Sequence, residues 1–213
     1  MKKTLLCAAI AALCLQAQAE NAAFEETFTT GDFSSAGTYA TVTLSDAQML
    51  DLTGSWTMEI VSTVNPSSPT TGYWVKDVLV TGAHGATDNY TGADGGFRFF
   101  VATINHEDIT PGTLVYAIGG AETATNIIVE DDTPLTITLA HVDGATDTAV
   151  TVTYAGATEN LTFSGLSSSF STFSSNVPVS GGDIQVSIAA PEPATATLSL
   201  LALAGLAARR RRH

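Results

Sequence analysis

Apolar and polar positions alternate with a period of two in one stretch of this chain after another. In Ser55–Val64, Trp56, Met58, Ile60, Ser62 and Val64 fall on one side and Thr57, Glu59, Val61 and Thr63 on the other. Because successive side chains of a strand point to opposite faces, this pattern predicts a strand with one buried face. Leu135, Ile137, Leu139 and His141 share a side against Thr136 and Thr138, Asp143-Gly144 begins a loop, and Val150, Val152 and Tyr154 alternate back. That is the signature of a hairpin. Shorter β-branched and aromatic runs predict strands at Thr38–Leu44, Tyr73–Val80, Phe97–Ile104, Leu114–Ile118, Ile127–Val129, Leu161–Phe163 and Asp183–Ile188. No window of helical length between the two ends has a 3.6-residue period; only Asp46–Leu50 invites a short helical turn. Ten or eleven short strands separated by Gly-, Asp- and Pro-rich turns predict an all-β chain, a single antiparallel β-sandwich or jelly roll.

The two ends follow other rules. Lys2-Lys3, the apolar run Leu5–Leu15 and Ala17-Gln18-Ala19 have the three parts of a secretory signal peptide, with cleavage expected before Glu20. Leu13 stands before Cys14 where a lipidation signal wants a small residue. At the other end come Pro191-Glu192-Pro193, an apolar segment 194–208, and Arg209-Arg210-Arg211-Arg212. At 1.5 Å per residue the apolar segment reaches about 22 Å as a helix, short of roughly 30 Å of bilayer hydrocarbon. Its Leu and Ala content makes insertion marginal, and the arginines orient it with their own end in the cytoplasm. The expected organisation is therefore a signal helix over 1–19, a sandwich domain over 20–190, and a sorting segment over 191–213 that ends in a short membrane helix.

This tripartite end resembles the PEP-CTERM sorting signal. The resemblance covers Pro191 to His213 and implies recognition of Pro191, Glu192 and Pro193 by an exosortase, a membrane-embedded cysteine protease. Arg209, Arg210, Arg211 and Arg212 would be the membrane stop. It further implies that the membrane hold is transient and that the protein ends at the cell surface or in the extracellular matrix of a bacterium. The partners so implied are the secretion machinery and the exosortase.

Removing both ends changes the charge balance. Residues 20–190 hold 20 of the 21 acidic residues but only Lys76 and Arg98 of the eight basic ones, a formal charge of −18. Phosphate backbones would repel such a domain, so nucleic acid is excluded as a partner. Cys7 and Cys14 both lie in the signal segment. The exported domain thus has no thiol for a disulfide, a metal or a nucleophile.

Within the domain, Gly54-Ser55-Trp56-Thr57-Met58-Glu59-Ile60, and Leu135–Val142 followed by Ala149–Gly156, resemble the laminin G and concanavalin A-like lectin fold over about residues 24–188. An immunoglobulin-like sandwich is the competing architecture. The lectin resemblance implies carbohydrate binding, which needs an exposed aromatic ring for the apolar face of a sugar and nearby amide or carboxylate groups for its hydroxyls. Tyr73-Trp74, and Asp88, Asn89, Tyr90 and Asp94 in the segment before Phe97, are the candidates. Trp74 also begins an apolar strand, and Asp, Asn and Gly are what tight turns require.

No cofactor is expected. Calcium is the one ion that oxygen-rich segments such as Glu130-Asp131-Asp132 and Asp143–Asp147 would accept, although neither has EF-hand spacing. Glycosidases on this fold carry Glu-x-Asp-x-x-Glu on one strand, and no strand here does. A Gly-x-Ser-x-Gly elbow is also absent, and His84, His106 and His141 have no evident serine partner. The expectation is a surface-directed, non-catalytic protein that binds extracellular polysaccharide. A structural matrix or envelope component is the first alternative; a glycoside hydrolase, needing two carboxylates about 5 to 9 Å apart, is the second. The Ser-rich run Ser164–Ser175, with Phe170 and Phe173, reads as a loop packed by its aromatics or as a flexible strand pair, and the loop is preferred because the phenylalanines would otherwise be exposed.

Overall fold

The computed structural model describes residues 24–45, 48, 54–64, 75–81, 96–103, 108–119, 121–130, 132–166 and 170–190. The signal segment, the Pro-Glu-Pro box, the apolar segment 194–208 and the arginines lie outside them. No described helix is long and apolar enough to cross a membrane.

Thirteen strands form within the described residues: β1 Phe24–Thr29, β2 Ser34–Ala36, β3 Tyr39–Thr43, β4 Trp56–Thr63, β5 Val75–Thr81, β6 Phe97–Ala102, β7 Thr113–Ile118, β8 Ala121–Ile128, β9 Leu135–His141, β10 Asp147–Tyr154, β11 Ala157–Ser164, β12 Thr172–Ser175 and β13 Asp183–Ala190. They make two sheets, a six-stranded one ordered β1-β13-β4-β9-β10-β11 and a seven-stranded one ordered β2-β3-β12-β5-β6-β7-β8. From β13 to β11 the pairs of the smaller sheet are antiparallel, as are those of the larger sheet from β2 to β8. The expected all-β sandwich is therefore what forms.

The smaller sheet obeys the alternation read from the sequence. Burial along β4 and β9 switches at every residue, so Trp56, Met58, Ile60, Leu135, Ile137 and Leu139 form its inner face. His141 ends β9 as expected, stacked on Trp56 with centroids 5.6 Å apart and hydrogen-bonded through Nδ1 to Thr148 Oγ1 at 3.0 Å. The two-residue turn from β10 to β11 holds Ala155 at φ 49° and Gly156 at φ 86°, the left-handed pair that a tight hairpin uses. Across the sandwich, Phe163 of β11 meets Phe97 and Phe99 of β6 and Tyr116 of β7, with centroids 5.1–6.1 Å apart. This fixes which side of the larger sheet faces inward.

The larger sheet is buried on both sides along β5, β6 and most of β7. Continuous apolar runs are the expected sequence of such strands. Three departures from expectation have one cause each. The strand β12 lies inside the Ser-rich run whose sequence favours a loop over a strand pair; Phe170 and Phe173 are buried as expected, but Ser174 and Ser175 are fully buried in the sheet as well. Their hydroxyls bond Thr41 Oγ1 and the Asp77 carbonyl, so burial of a polar run costs little. The strand β8 extends well before Ile127 because it is a sheet edge whose first four residues are exposed. The third departure, β1 and β2, has polar or very short sequences without a period-two signal.

Candidate functional site

Two polar arrangements stand out among the described residues, and both use the only two basic side chains of residues 20–190. Each comes from β5 or β6, where register decides the face.

Asp77 of β5 is opposite Phe100, and Arg98 is opposite Val80, so all four lie on the side of the larger sheet away from Phe163. On that side Arg98 bonds Asp77 through Nε, and the Tyr39 hydroxyl donates to the second oxygen of the same carboxylate. The guanidinium carbon sits 4.3 Å from the centroid of the Phe100 ring, and Nη1 lies 3.4 Å from Glu122 Oε1 on β8. Asp77 is fully buried and Arg98 4% exposed, whereas Glu122 is 44% exposed. The Asp77 backbone is committed too, its carbonyl accepting from Ser175 Oγ at 2.9 Å and from the Asn176 amide at 3.2 Å. One guanidinium thus engages two carboxylates and one aromatic face, and Asp77 has both oxygens filled. Asp77 is thereby committed to holding this cluster together. Sequence reasoning missed the cluster, although a lone Lys-Asp and a lone Arg inside apolar strands were its visible trace.

Lys76 points the other way. Opposite Val101, it shares the inward side with Phe99 and Leu79. It lines a cleft of about 150 Å³ between the ends of the two sheets, with Thr63, Val64, Asp132, Ser180 and Gly181-Gly182. Burial alone pushes its pKa below the ordinary value. Gly182 is a structural requirement here, because a Cβ would run into the Thr63 carbonyl and the Val177 side chain. Asn176, one residue before Val177, has a buried side-chain oxygen without a hydrogen-bond partner among the described residues.

The residues expected to bind ligand, Tyr73, Trp74, Asp88, Asn89, Tyr90 and Asp94, lie outside the described residues, as do His84 and His106. Their attachment points are described. Trp74 precedes Val75 at the start of β5, and the segment with Asp88–Asp94 follows Thr81 at its end. Seven residues at about 3.3 Å each put roughly 20 Å between those ends, so the two groups join the strand at opposite ends. Of the candidate calcium segments, Glu130, Asp132, Asp143 and Asp147 are exposed, and no group of three or more metal-ligating side chains forms among the described residues.

No family model and no curated protein matches this sequence. Solved structures with similar strand arrangements include legume-type lectins. Basic winged bean lectin with Tn-antigen has a TM-score of 0.46 and 11% identity, covering 80% of this chain and 100% of that one. The lectin UEA-II complexed with galactose has 0.47 and 11%, covering 79% and 98%. The alginate lyase from Klebsiella pneumoniae has 0.35 and 12%, covering 63% and 57%. The ligands and the reaction in those names belong to those proteins.

Proposed function

We propose that this is an exported, surface-directed, non-catalytic β-sandwich that binds extracellular carbohydrate, delivered through its Pro-Glu-Pro signal and held only transiently by the segment 194–208. The observation that carries the preference for binding over catalysis is the outer-face cluster of the larger sheet. Asp77 and Glu122 are both engaged by Arg98 and Asp77 has no solvent access, which supports binding over catalysis by a carboxylate pair. Tyr73 and Trp74 are the aromatic anchors in this reading, with Asp88, Asn89, Tyr90 and Asp94 as hydroxyl partners. Calcium would act there only through oxygen ligands from those segments.

A glycan array probed with the full chain, with and without calcium, tests the binding half. Binding that Trp74→Ala reduces at least tenfold is expected, and an array blank in both conditions refutes it. The export half is tested separately: Glu192→Ala, or deletion of residues 194–213, should change processing and surface retention, and unchanged fractionation refutes it.

The structural-component reading has its own support. The outer face of the smaller sheet carries Thr57, Glu59, Thr136, Thr138, Thr151 and Thr153 in register, with no aromatic ring among the described residues. A protein that assembles without sugar, and stays blank on the array, would favour it.

A further inference from the structure

The geometry points to a further site: the cleft at the end of the sandwich binds a small hydroxy-carboxylate, with the ligand carboxylate on Lys76 and a ligand hydroxyl on Asp132. The inference uses neither Tyr73 nor Trp74, and its test is separate from that of polysaccharide binding.

The first ground is an unspent charge. Lys76 is 2% exposed, yet no described residue hydrogen-bonds or ion-pairs with it; both ion pairs among the described residues belong to Arg98. The lysine stem is packed away and its ammonium is left to the cleft, where an anion can serve as the partner that the protein does not supply. The second ground is that the rest of the lining is already committed. Ser180 Oγ donates to the Asn176 carbonyl, and Thr63 Oγ1 accepts from the Asp183 amide at 3.1 Å. The strong donor left facing the space is the lysine. Its volume of about 150 Å³ far exceeds the 10–15 Å³ that one water needs, so the cleft has room for a carboxylate and the atoms carrying it.

Asp132 decides the class of anion. It lines the same cleft, is exposed, and makes no ion pair with Lys76. Beside that carboxylate a dianion such as phosphate meets repulsion that a singly charged carboxylate feels less. A carboxylate also accepts readily from a ligand hydroxyl. A monoanion that carries a hydroxyl near its carboxylate satisfies both side chains; glucuronate is such a molecule.

The test uses the full chain and three probes at equal ionic strength: sodium glucuronate, glucose and sodium phosphate. Lysine acylation followed by mass spectrometry reads the site directly, because Lys2 and Lys3 are the only other lysines and serve as internal controls. Glucuronate should slow acylation of Lys76 several-fold while leaving Lys2 and Lys3 unchanged, and glucose and phosphate should not. A tenfold gain in the folded-to-unfolded ratio at saturating glucuronate would raise Tm by about 3–5 °C. Lys76→Met should abolish that rise. Equal protection by phosphate or glucose, no protection by glucuronate, or a Tm rise that survives in Lys76→Met overturns the assignment.

Discussion

Replacing Arg98 by Met should be among the most damaging single changes in the larger sheet, and the structure says why. The guanidinium is the partner of a carboxylate that has no access to solvent. Removing one member of a buried ion pair costs about 3–5 kcal/mol, because the other charge stays behind uncompensated. Two smaller losses accompany it: the contact with the Phe100 ring, of order 0.5–2 kcal/mol, and the contact with half-exposed Glu122, below about 1 kcal/mol. Methionine keeps most of the packing volume, so the charge effect dominates. For a domain of this size the expected fall in Tm is about 6–20 °C, at roughly 2–4 °C per kcal/mol. Denaturant unfolding of Arg98→Met, Asp77→Asn and the double variant forms a cycle that isolates the pair. The double variant should be more stable than Arg98→Met alone, since no buried charge is then left over. Glu122→Gln is the internal control and should lose less than about 1 kcal/mol. If Arg98→Met were as mild as Glu122→Gln, the reasoning about uncompensated burial would be wrong.

Other substitutions probe different parts of the fold. Phe163→Ala, at the meeting point of Phe97, Phe99 and Tyr116, should cost about 3–5 kcal/mol in chemical denaturation. Ala155→Asn should stabilise by about 1 kcal/mol, because alanine at φ 49° carries a steric cost that asparagine bears more easily; an unchanged midpoint would count against that strain. Gly182→Ala should destabilise by about 1–3 kcal/mol through collision with the Thr63 carbonyl. The pH dependence has two ends. Lys76 is held below its ordinary 10.5, so between its lowered pKa and 10.5 the unfolded chain binds a proton that the folded chain does not. Stability should therefore rise with pH across that alkaline window, and Lys76→Met should remove the rise. Asp32 is held below its ordinary 3.8 by the Thr29 amide and hydroxyl, so its contribution is present above 3.8 and fades as pH falls through the lowered value. Asp32→Asn should remove that acid-side loss.

The strands whose inner and outer faces were both legible in the sequence were those with one wet face; β5, β6 and β7, buried on both sides, were legible only as apolar runs. Trp56–Thr63, Leu135–His141 and Asp147–Tyr154 alternate because water covers one side of the smaller sheet. The strand Thr172–Ser175 hid because its buried serines are paired with backbone and hydroxyl groups contributed by Asp77 and Thr41, residues far away in sequence. Hydrophobicity does not register a polar group whose partner arrives through tertiary structure. The cluster around Asp77 was hidden for the same reason. Its members come from β3, β5, β6 and β8, and only the sheet order places them together. The lysine and arginine were visible as isolated cations in apolar runs, but which face each would take depended on the register shift between Asp77 and Leu79.

That register has a consequence for selectivity. It turns Lys76 inward and Arg98 to the other side, and both are buried, while Asp77 is the one buried acid among the described residues. The described surface therefore presents carboxylates and hydroxyls without a single lysine or arginine. A polyanion approaching this domain meets repulsion at every point outside the cleft, screened only beyond about 10 Å at 0.1 M salt. A neutral polysaccharide meets none. A small monoanion differs from both, since it would incur the repulsion of one charge and then reach the lysine in the cleft. If both proposed sites operate, burial of the two cations would separate ligands by size as well as by charge, with neutral chains on the outside and single carboxylates in the cleft. Raising ionic strength should then change glucuronate binding far more than neutral-sugar binding, and equal salt dependence of the two would contradict this division.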